Sequence, residues 1–377
     1  MKILIQPMAA LAGLSLAIQI YLACFRGRFW QLRERLSAAS PQKANVSITA
    51  VVPARDESGL IGGAVGSLRG QRFAGTLRII VADDQSADGT AEAALAAGAD
   101  RVVCVTERPS EWKGKLWAIA SGVRDEAAAP DFFLLTDADV EYASPEAVAS
   151  LLAKAEQGFD LVSVMVRLRA ESIAEKFLIP AFVFFFFQLY PPAWVAARGT
   201  IAAAAGGCML IRREMLERIG GIASIHSALI DDCALARRVK NAGGRIWLGT
   251  SPLAIRSVRE YGQAREIRAM ISRSAFTQLK HSVLFLIGTI LGMLVIYAVP
   301  IAALFSGNPF AIGAGLASWV IGAEIFLPMV REYRVPAWMA FCLPGIALFY
   351  LAATVESAFR YWTGRGGEWK GRVQDAR

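Results

Sequence analysis

The residues best suited to chemistry are acids that follow apolar runs. Asp137-Ala138-Asp139 comes directly after Phe132-Phe133-Leu134-Leu135-Thr136, Asp83-Asp84 after Leu77-Arg78-Ile79-Ile80-Val81-Ala82, and Arg55-Asp56-Glu57 after a run that ends in Val52-Pro53-Ala54. Two carboxylates at i and i+2 on an extended segment share a side, so Asp137 and Asp139 can hold a divalent cation and the ribose or diphosphate it bridges. Acids at strand ends are also ordinary turn chemistry, and Asp83, Asp84 and Ser86 can equally cap a helix beginning near Gly89-Thr90. A further pair lies in Ile230-Asp231-Asp232-Cys233-Ala234-Leu235, followed by Arg237-Arg238 and Asn241-Ala242-Gly243-Gly244. Locally that is a helix with an Asp N-cap, a basic last turn and a glycine stop. Lys113-Gly114-Lys115 brings basic and backbone groups to the start of a helix, although surface lysines need no function.

The elements that must position these residues alternate. Strands are expected at Ile48–Pro53, Leu77–Ala82, Arg101–Thr106 and Phe132–Thr136, with helices at about Gly59–Leu68, Thr90–Ala97 and Leu116–Ala127 between them. Short apolar strands separated by helices make an α/β fold with a mostly parallel sheet covered on both faces, and ligands of such sheets bind beyond the carboxyl ends of the strands. The acids stand at those ends. Two nucleotide-binding motifs are absent: Gly59, Gly62, Gly63 and Gly66 do not fit G-x-G-x-x-G, and Pro109 replaces the upstream glycine that a Walker loop needs before Gly114-Lys115.

The chain of 377 residues is 55% hydrophobic with a mean hydropathy of +0.42, too apolar for an ordinary soluble protein. Ile3–Phe25, Ser282–Phe305, Phe310–Val330 and Ala337–Val355 each approach the roughly 20 residues that span a bilayer. A lipoprotein signal at Leu22-Ala23-Cys24 is rejected, because Tyr21 occupies a position that wants a small aliphatic and Arg26, Arg28, Arg33 and Arg35 follow. Those arginines place the end of the first helix in the cytoplasm. The formal charge of +8 comes largely from such juxtamembrane residues, including Arg360, Arg365, Lys370 and Arg372. It reads as contact with anionic headgroups and not as nucleic-acid binding, since no base-reading motif accompanies it. Five cysteines without C-x-x-C spacing and two histidines argue against a zinc site or a disulfide framework.

The organisation expected is a transmembrane helix over 1–27, a polar linker around Ser37–Lys43, a catalytic domain over 44–280, transmembrane helices over 281–357 and a basic tail over 358–377. Phe177–Ala197, interrupted by Pro180, Gln188, Pro191 and Pro192, reads as an interfacial element, because a crossing would put the two halves of the domain on opposite sides. Three spans after residue 280 would leave the basic tail outside, against the positive-inside tendency. A cytoplasmic tail would require one segment to be re-entrant.

The order of these motifs resembles the family 2 glycosyltransferases of the GT-A fold. That resemblance assigns Pro53, Ala54, Glu57 and Asp84 to the nucleotide, puts Lys115 and Asp137 near the diphosphate, and gives Asp137 and Asp139 a Mg²⁺ or Mn²⁺ ion that offsets the charge on the departing diphosphate. It makes Asp232 the general base with Asp231 its neighbour, and sets Gly206, Gly207 and Cys208 on the acceptor side. Processive members carry Q-x-x-R-W, and here Met270-Ile271-Ser272-Arg273-Ser274 retains only Arg273, so transfer of one sugar is expected instead of polymer synthesis. Asp231-Asp232-Cys233-Ala234-Leu235 shares the Asp-Asp-x-x-Leu pattern of lipid-directed ceramide glucosyltransferases, which implies a lipid acceptor. Val166-Arg167-Leu168-Arg169, the Phe-rich run, Gly206-Gly207-Cys208, Leu229–Cys233 and Gly367–Arg372 are similar to the bacterial hopanoid-biosynthesis-associated subgroup, which suggests an acceptor class by association. The function expected is inverting transfer of a single sugar from a UDP-sugar to a lipid, by a multi-pass protein of the bacterial cytoplasmic membrane with its catalytic domain inside. One rival is a sugar nucleotidyltransferase, which wants a Gly- and Arg-rich loop where Arg55-Asp56-Glu57 stands. The other is a non-catalytic scaffold, which predicts no metal-dependent nucleotide binding.

Overall fold

The computed structural model describes residues 2–38, 45–105, 107–126, 129–251 and 254–367. Most of the expected linker, the expected strand and helix ends at Thr106 and Ala127, and the tail beyond Gly367 lie outside the described residues. The chain forms two compact units, one of Met1–Leu32, Ala170–Ala193 and Tyr261–Arg377, the other of Arg33–Arg169 and Trp194–Glu260. The stretch 44–280 expected as one domain is therefore shared between them.

Among the described residues, the second unit has nine strands: β1 (Ser47–Ala54), β2 (Thr76–Asp83), β3 (Arg101–Cys104), β4 (Phe132–Thr136), β5 (Val140–Tyr142), β6 (Leu161–Met165), β7 (Cys208–Arg212), β8 (Ile246–Thr250) and β9 (Ile255–Ser257). Seven form one sheet in the order β3-β2-β1-β4-β7-β6-β8, and β5 pairs with β9 in a separate antiparallel ribbon. All neighbours in the large sheet are parallel except β7, which is antiparallel to both β4 and β6. The sheet is covered on both faces. Ile48, Ala50 and Val52 of β1 pack with Ile61, Val65 and Leu68 of the helix Ser58–Arg69. Val51 points the other way, toward the helix Gly114–Asp125, whose Gly122 comes so close that an added Cβ would lie 2.6 Å from the Val51 side chain. The alternating pleat of a strand buried on both sides dictates this division.

Two features of this topology create the site. Chain order reverses across β1, with β2 on one side and β4 on the other, so the loops after these strands open a crevice at their carboxyl ends. Because β7 runs antiparallel to β4, with Thr136 opposite Cys208, the residues entering β7 lie beside the residues leaving β4.

In the first unit, apolar helices run over Lys2–Cys24, Val283–Met293, Pro309–Glu332 and Leu343–Trp362. The second continues through a π-helical turn, Leu294–Ala298, to Ala303. The Phe-rich segment forms a single helix, Ile173–Leu189, packed among them: Phe184 contacts Phe29 and Phe326, and Phe185 contacts Tyr297 and Tyr350. Its start is fixed by a capping box between Ser172 and Glu175. The buried Glu175 carboxylate also accepts from the Tyr261 N–H (2.7 Å), which ties together two of the points where the chain joins this unit.

Candidate active site

Building outward from β1 and β2, the loops after these strands are braced against each other. The Asp84 N–H donates to the Ala54 carbonyl (2.8 Å), the Glu57 N–H to Thr90 Oγ1 (2.9 Å), the Ser58 N–H to Asp88 (3.0 Å) and the Ala87 N–H to Asp56 (3.1 Å). Asp56 and Gln85 adopt left-handed φ values of 48° and 59°, a strain that these cross-links hold in place. The helix Thr90–Ala96 has Gly89 at its cap position and no side-chain cap there, and not Asp83, Asp84 or Ser86; one residue earlier Asp88 accepts from the Thr90 N–H (3.1 Å), and its carboxyl is held well below its usual range, first by the Thr90 hydroxyl. Asp84 has other partners. It is buried, and Arg55 Nη1 contacts both its carbonyl (2.8 Å) and its carboxylate (3.3 Å).

Asp137-Ala138-Asp139 is not extended. The chain turns there between β4 and β5, the Val140 N–H donating to the Asp137 carbonyl (3.2 Å), and the two carboxylates take different partners. Asp139 Oδ2 accepts from Ser257 Oγ (2.7 Å) and from Arg259 Nε (3.1 Å), and Arg259 Nη2 reaches Glu57 Oε1 at 2.7 Å. Asp137 Oδ1 pairs instead with Lys115 Nζ at 2.8 Å. Lys115 stands one residue into the helix Gly114–Asp125, and its ammonium is also 3.4 Å from Asp231 Oδ2, an oxygen that is buried and makes no hydrogen bond. Burial alone would lower the Lys115 pKa, but the charges of Asp137 and Asp231 more than offset it and raise it. Burial, with the nearby Asp139 charge, raises Asp137 against the opposing pull of Lys115.

Asp231 and Asp232 open the helix Asp231–Asn241, with Ile230 and not Asp231 at the cap position; Arg238 and Lys240 fill its last turn and Gly243 (φ 80°) follows it. Asp232 Oδ1 accepts from the Cys233 N–H (2.6 Å) and Oδ2 from the Gly206 N–H (2.9 Å). Burial first, then the neighbouring Asp231 charge, push its pKa up to about 6. Gly206 must be small: a Cβ there would lie 3.3 Å from Asp232 Oδ2 and 3.6 Å from Lys115 Nζ. The Gly207 carbonyl accepts from Thr136 Oγ1 (2.8 Å), which joins the entry of β7 to the end of β4.

Contacts thus run without a gap from Asp137 through Lys115 to Asp231, Asp232 and Gly206, and from Asp139 through Arg259 to Glu57. Pro53 and Ala54 close β1 beside Ala82 and Asp83. Cys208 is turned into the core, where the Tyr142 hydroxyl donates to its sulfur (3.6 Å). Arg273 is in the other unit, exposed at the end of the helix Ala264–Ser272. Arg259 and Ser257 escaped the reading of the sequence, since their partners are more than 110 residues away and no local pattern marks them.

The residues present suit a hard divalent cation only in part. Among the described residues no three acid, histidine or cysteine side chains gather to hold a metal. One or two carboxylates with substrate phosphates is, however, how Mg²⁺ is held at nucleotide sites, and Asp137 and Asp139 supply that half of the set.

A mostly parallel seven-stranded sheet with acidic loops at its carboxyl edge and an antiparallel β7 is the GT-A fold. Over 94% of this chain and 98% of that one, it superposes on the mannosyltransferase PcManGT from Pyrobaculum calidifontis, solved with GDP-Man and Mn²⁺, with a TM-score of 0.54 and 21% identity. Residues 49–220 match the family described as "Glycosyl transferase family 2". The chain is also 30% identical over 139 residues to the 4,4'-diaponeurosporenoate glycosyltransferase of Staphylococcus aureus (strain bovine RF122 / ET3-1), a match over 37% of this chain and 36% of that relative's length.

Proposed function

We propose that the protein transfers one sugar from a nucleotide-sugar, of the UDP type, to a hydroxyl of a lipid acceptor with inversion at the anomeric carbon. The observation that carries the reading is Asp232: two backbone N–H groups aim its carboxylate, burial and Asp231 raise its proton affinity, and Lys115 connects its neighbour to Asp137. A base poised near neutral pH at a fixed position is what removal of a hydroxyl proton requires. In the step proposed, Asp232 takes that proton, the acceptor oxygen bonds to the anomeric carbon from one face, and the bond to the diphosphate oxygen breaks on the other. Glu57 and Asp84 hold the nucleoside portion of the donor. A Mg²⁺ or Mn²⁺ ion held by Asp137 and Asp139 would offset the negative charge that builds on the leaving diphosphate.

Among the described residues, four helices long and apolar enough to cross a membrane support a lipid acceptor, as does the relative named 4,4'-diaponeurosporenoate glycosyltransferase. The likeness of Val166–Arg169 and Leu229–Cys233 to the hopanoid-associated subgroup makes hopanoid-related lipids the first acceptors to try. The test uses the full chain in nanodiscs, a panel of UDP- and GDP-sugars, Mg²⁺ or Mn²⁺, and hopanoid, ceramide and polyprenyl-phosphate acceptors. Metal-dependent transfer to a lipid hydroxyl is the expected result. Release of pyrophosphate from a nucleoside triphosphate, or no binding of any sugar nucleotide, would overturn it.

A further inference from the structure

Among the described residues, four segments are long and apolar enough to cross a bilayer, the last being Ala337–Trp362. Contacts inside the helical unit give each segment a direction. The helix Lys2–Cys24 runs parallel to Pro309–Glu332: Gly13 lies against Phe310, and Gln19 lies against Gly322. The segment Val283–Ala303 runs antiparallel to both, since Ala303 packs with Ala12 and Ala311, and Gln19 Nε2 donates to the Ile296 carbonyl (3.4 Å) in the π-helical turn. Cys24, Val283 and Glu332 therefore stand at one end of the bundle, and the turn Leu304–Asn308 stands at the other.

The fourth segment behaves differently. It leaves the Glu332 end, but Trp319 Nε1 donates to the Phe341 carbonyl (2.9 Å), so within nine residues the chain has climbed back along the helix it has just left. Trp319 is 13 positions before Glu332, about 20 Å along a helix at 1.5 Å per residue and short of the roughly 30 Å hydrocarbon layer. A 3₁₀ turn, Ala337–Cys342, covers this climb, and then the helix Leu343–Trp362 descends. Its lower end is fixed by polar contacts. Glu356 pairs with Arg268 and Arg360, the Phe276 N–H donates to Ser357 Oγ (3.0 Å), and Tyr361 stacks on His281 at 4.1 Å, two residues before Val283. The segment thus starts and finishes at the same end.

We infer that Ala337–Trp362 is a re-entrant segment that enters and leaves one leaflet, so that three helices cross the membrane and one face of the unit is a basic surface seated on anionic headgroups. Arg26, Arg28, Lys280, Arg331, Arg334, Arg360 and Arg365 all belong to that end, whereas Leu304-Phe305-Ser306-Gly307-Asn308 at the other carries no charge. The positive-inside rule makes the basic end cytoplasmic. The fold also removes the conflict of a basic tail stranded outside, because its first arginines return inward with the descending helix.

The test is single-cysteine labelling of the full chain, with the five native cysteines replaced, using a membrane-impermeant maleimide on right-side-out and inside-out vesicles. Only variants that elute as the wild type does are scored. Ser306→Cys is expected to label from the outer face, and Arg28→Cys and Thr363→Cys only from the inner face or after permeabilisation. Labelling of Thr363→Cys from the outer face would show a complete fourth crossing and overturn the inference, as would labelling of Ser306→Cys and Thr363→Cys from the same face. No readout depends on the reaction, so the topology can fail while the catalytic reading stands.

Discussion

The two ends of the acidic cluster are built on opposite electrostatic plans. At the Glu57, Asp84 and Asp139 end, Arg55 and Arg259 pair with carboxylates that are nearly buried, and backbone hydrogen bonds lock the loops around them. At the Asp137, Asp231 and Asp232 end, Lys115 is the cation whose charge all three carboxylates feel. Paired charges with fixed geometry make a rigid surface suited to binding. An excess of negative charge under partial burial raises proton affinity, and a raised proton affinity is what a base needs. On the proposed function, this difference would separate a holding end from a reacting end within one row of acids.

That separation can be broken from either side. The largest effect is expected for Asp232→Asn, which keeps the size of the side chain but cannot take a proton: the transfer rate should drop by about 10²–10⁴-fold, while calorimetric affinity for UDP stays close to that of the wild type. Near-normal transfer would remove Asp232 from the chemistry. Arg259→Met should do the reverse, leaving Glu57 and Asp139 without their shared cation. A cost of about 2 kcal/mol, reduced from the fully buried case because Arg259 is partly solvated, should appear as weaker donor binding and a lower Tm. Gly206→Ala presses a methyl group against Asp232 Oδ2, so kcat should fall by about tenfold through misplacement of the base, with Tm little changed.

The smallest effect sharpens the comparison most. Asp232 must be ionised to act, so the rate should fall as pH drops through about 6, the value to which burial and Asp231 raise it. The sign for stability is opposite: because the folded state holds this proton more tightly than the unfolded chain does, ionising the group between its ordinary value of 3.8 and about 6 costs stability as pH rises. Lys115→Met removes the positive charge that favours the ionised form, and the acid limb of the pH–rate profile should move up by about one unit. A limb that does not move would mean that Lys115 does not tune the base.

Local pattern carried much of the fold. The apolar runs at β1, β2 and β4 ended in acids because a parallel sheet buries strands on both faces and presents its loops at one edge, and the strands formed where their composition indicated. The acidic first turn and basic last turn of the helix Asp231–Asn241 were equally legible, since the helix dipole acts within a single turn, although the cap position fell on Ile230. The extended geometry assumed for Asp137-Ala138-Asp139 failed because β4 ends at Thr136 and a turn to β5 follows, a choice made by pairing with β9 more than 110 residues away.

By itself, then, the sequence determined which elements form, where the acids stand along them, and that several segments are apolar enough for lipid, because these properties depend on a residue and its near neighbours. Tertiary structure alone decided which cation serves which carboxylate, that Arg259 joins Glu57 to Asp139, and that the fourth apolar segment doubles back along the third. Those outcomes depend on contacts between residues far apart in the chain, which composition and periodicity do not record.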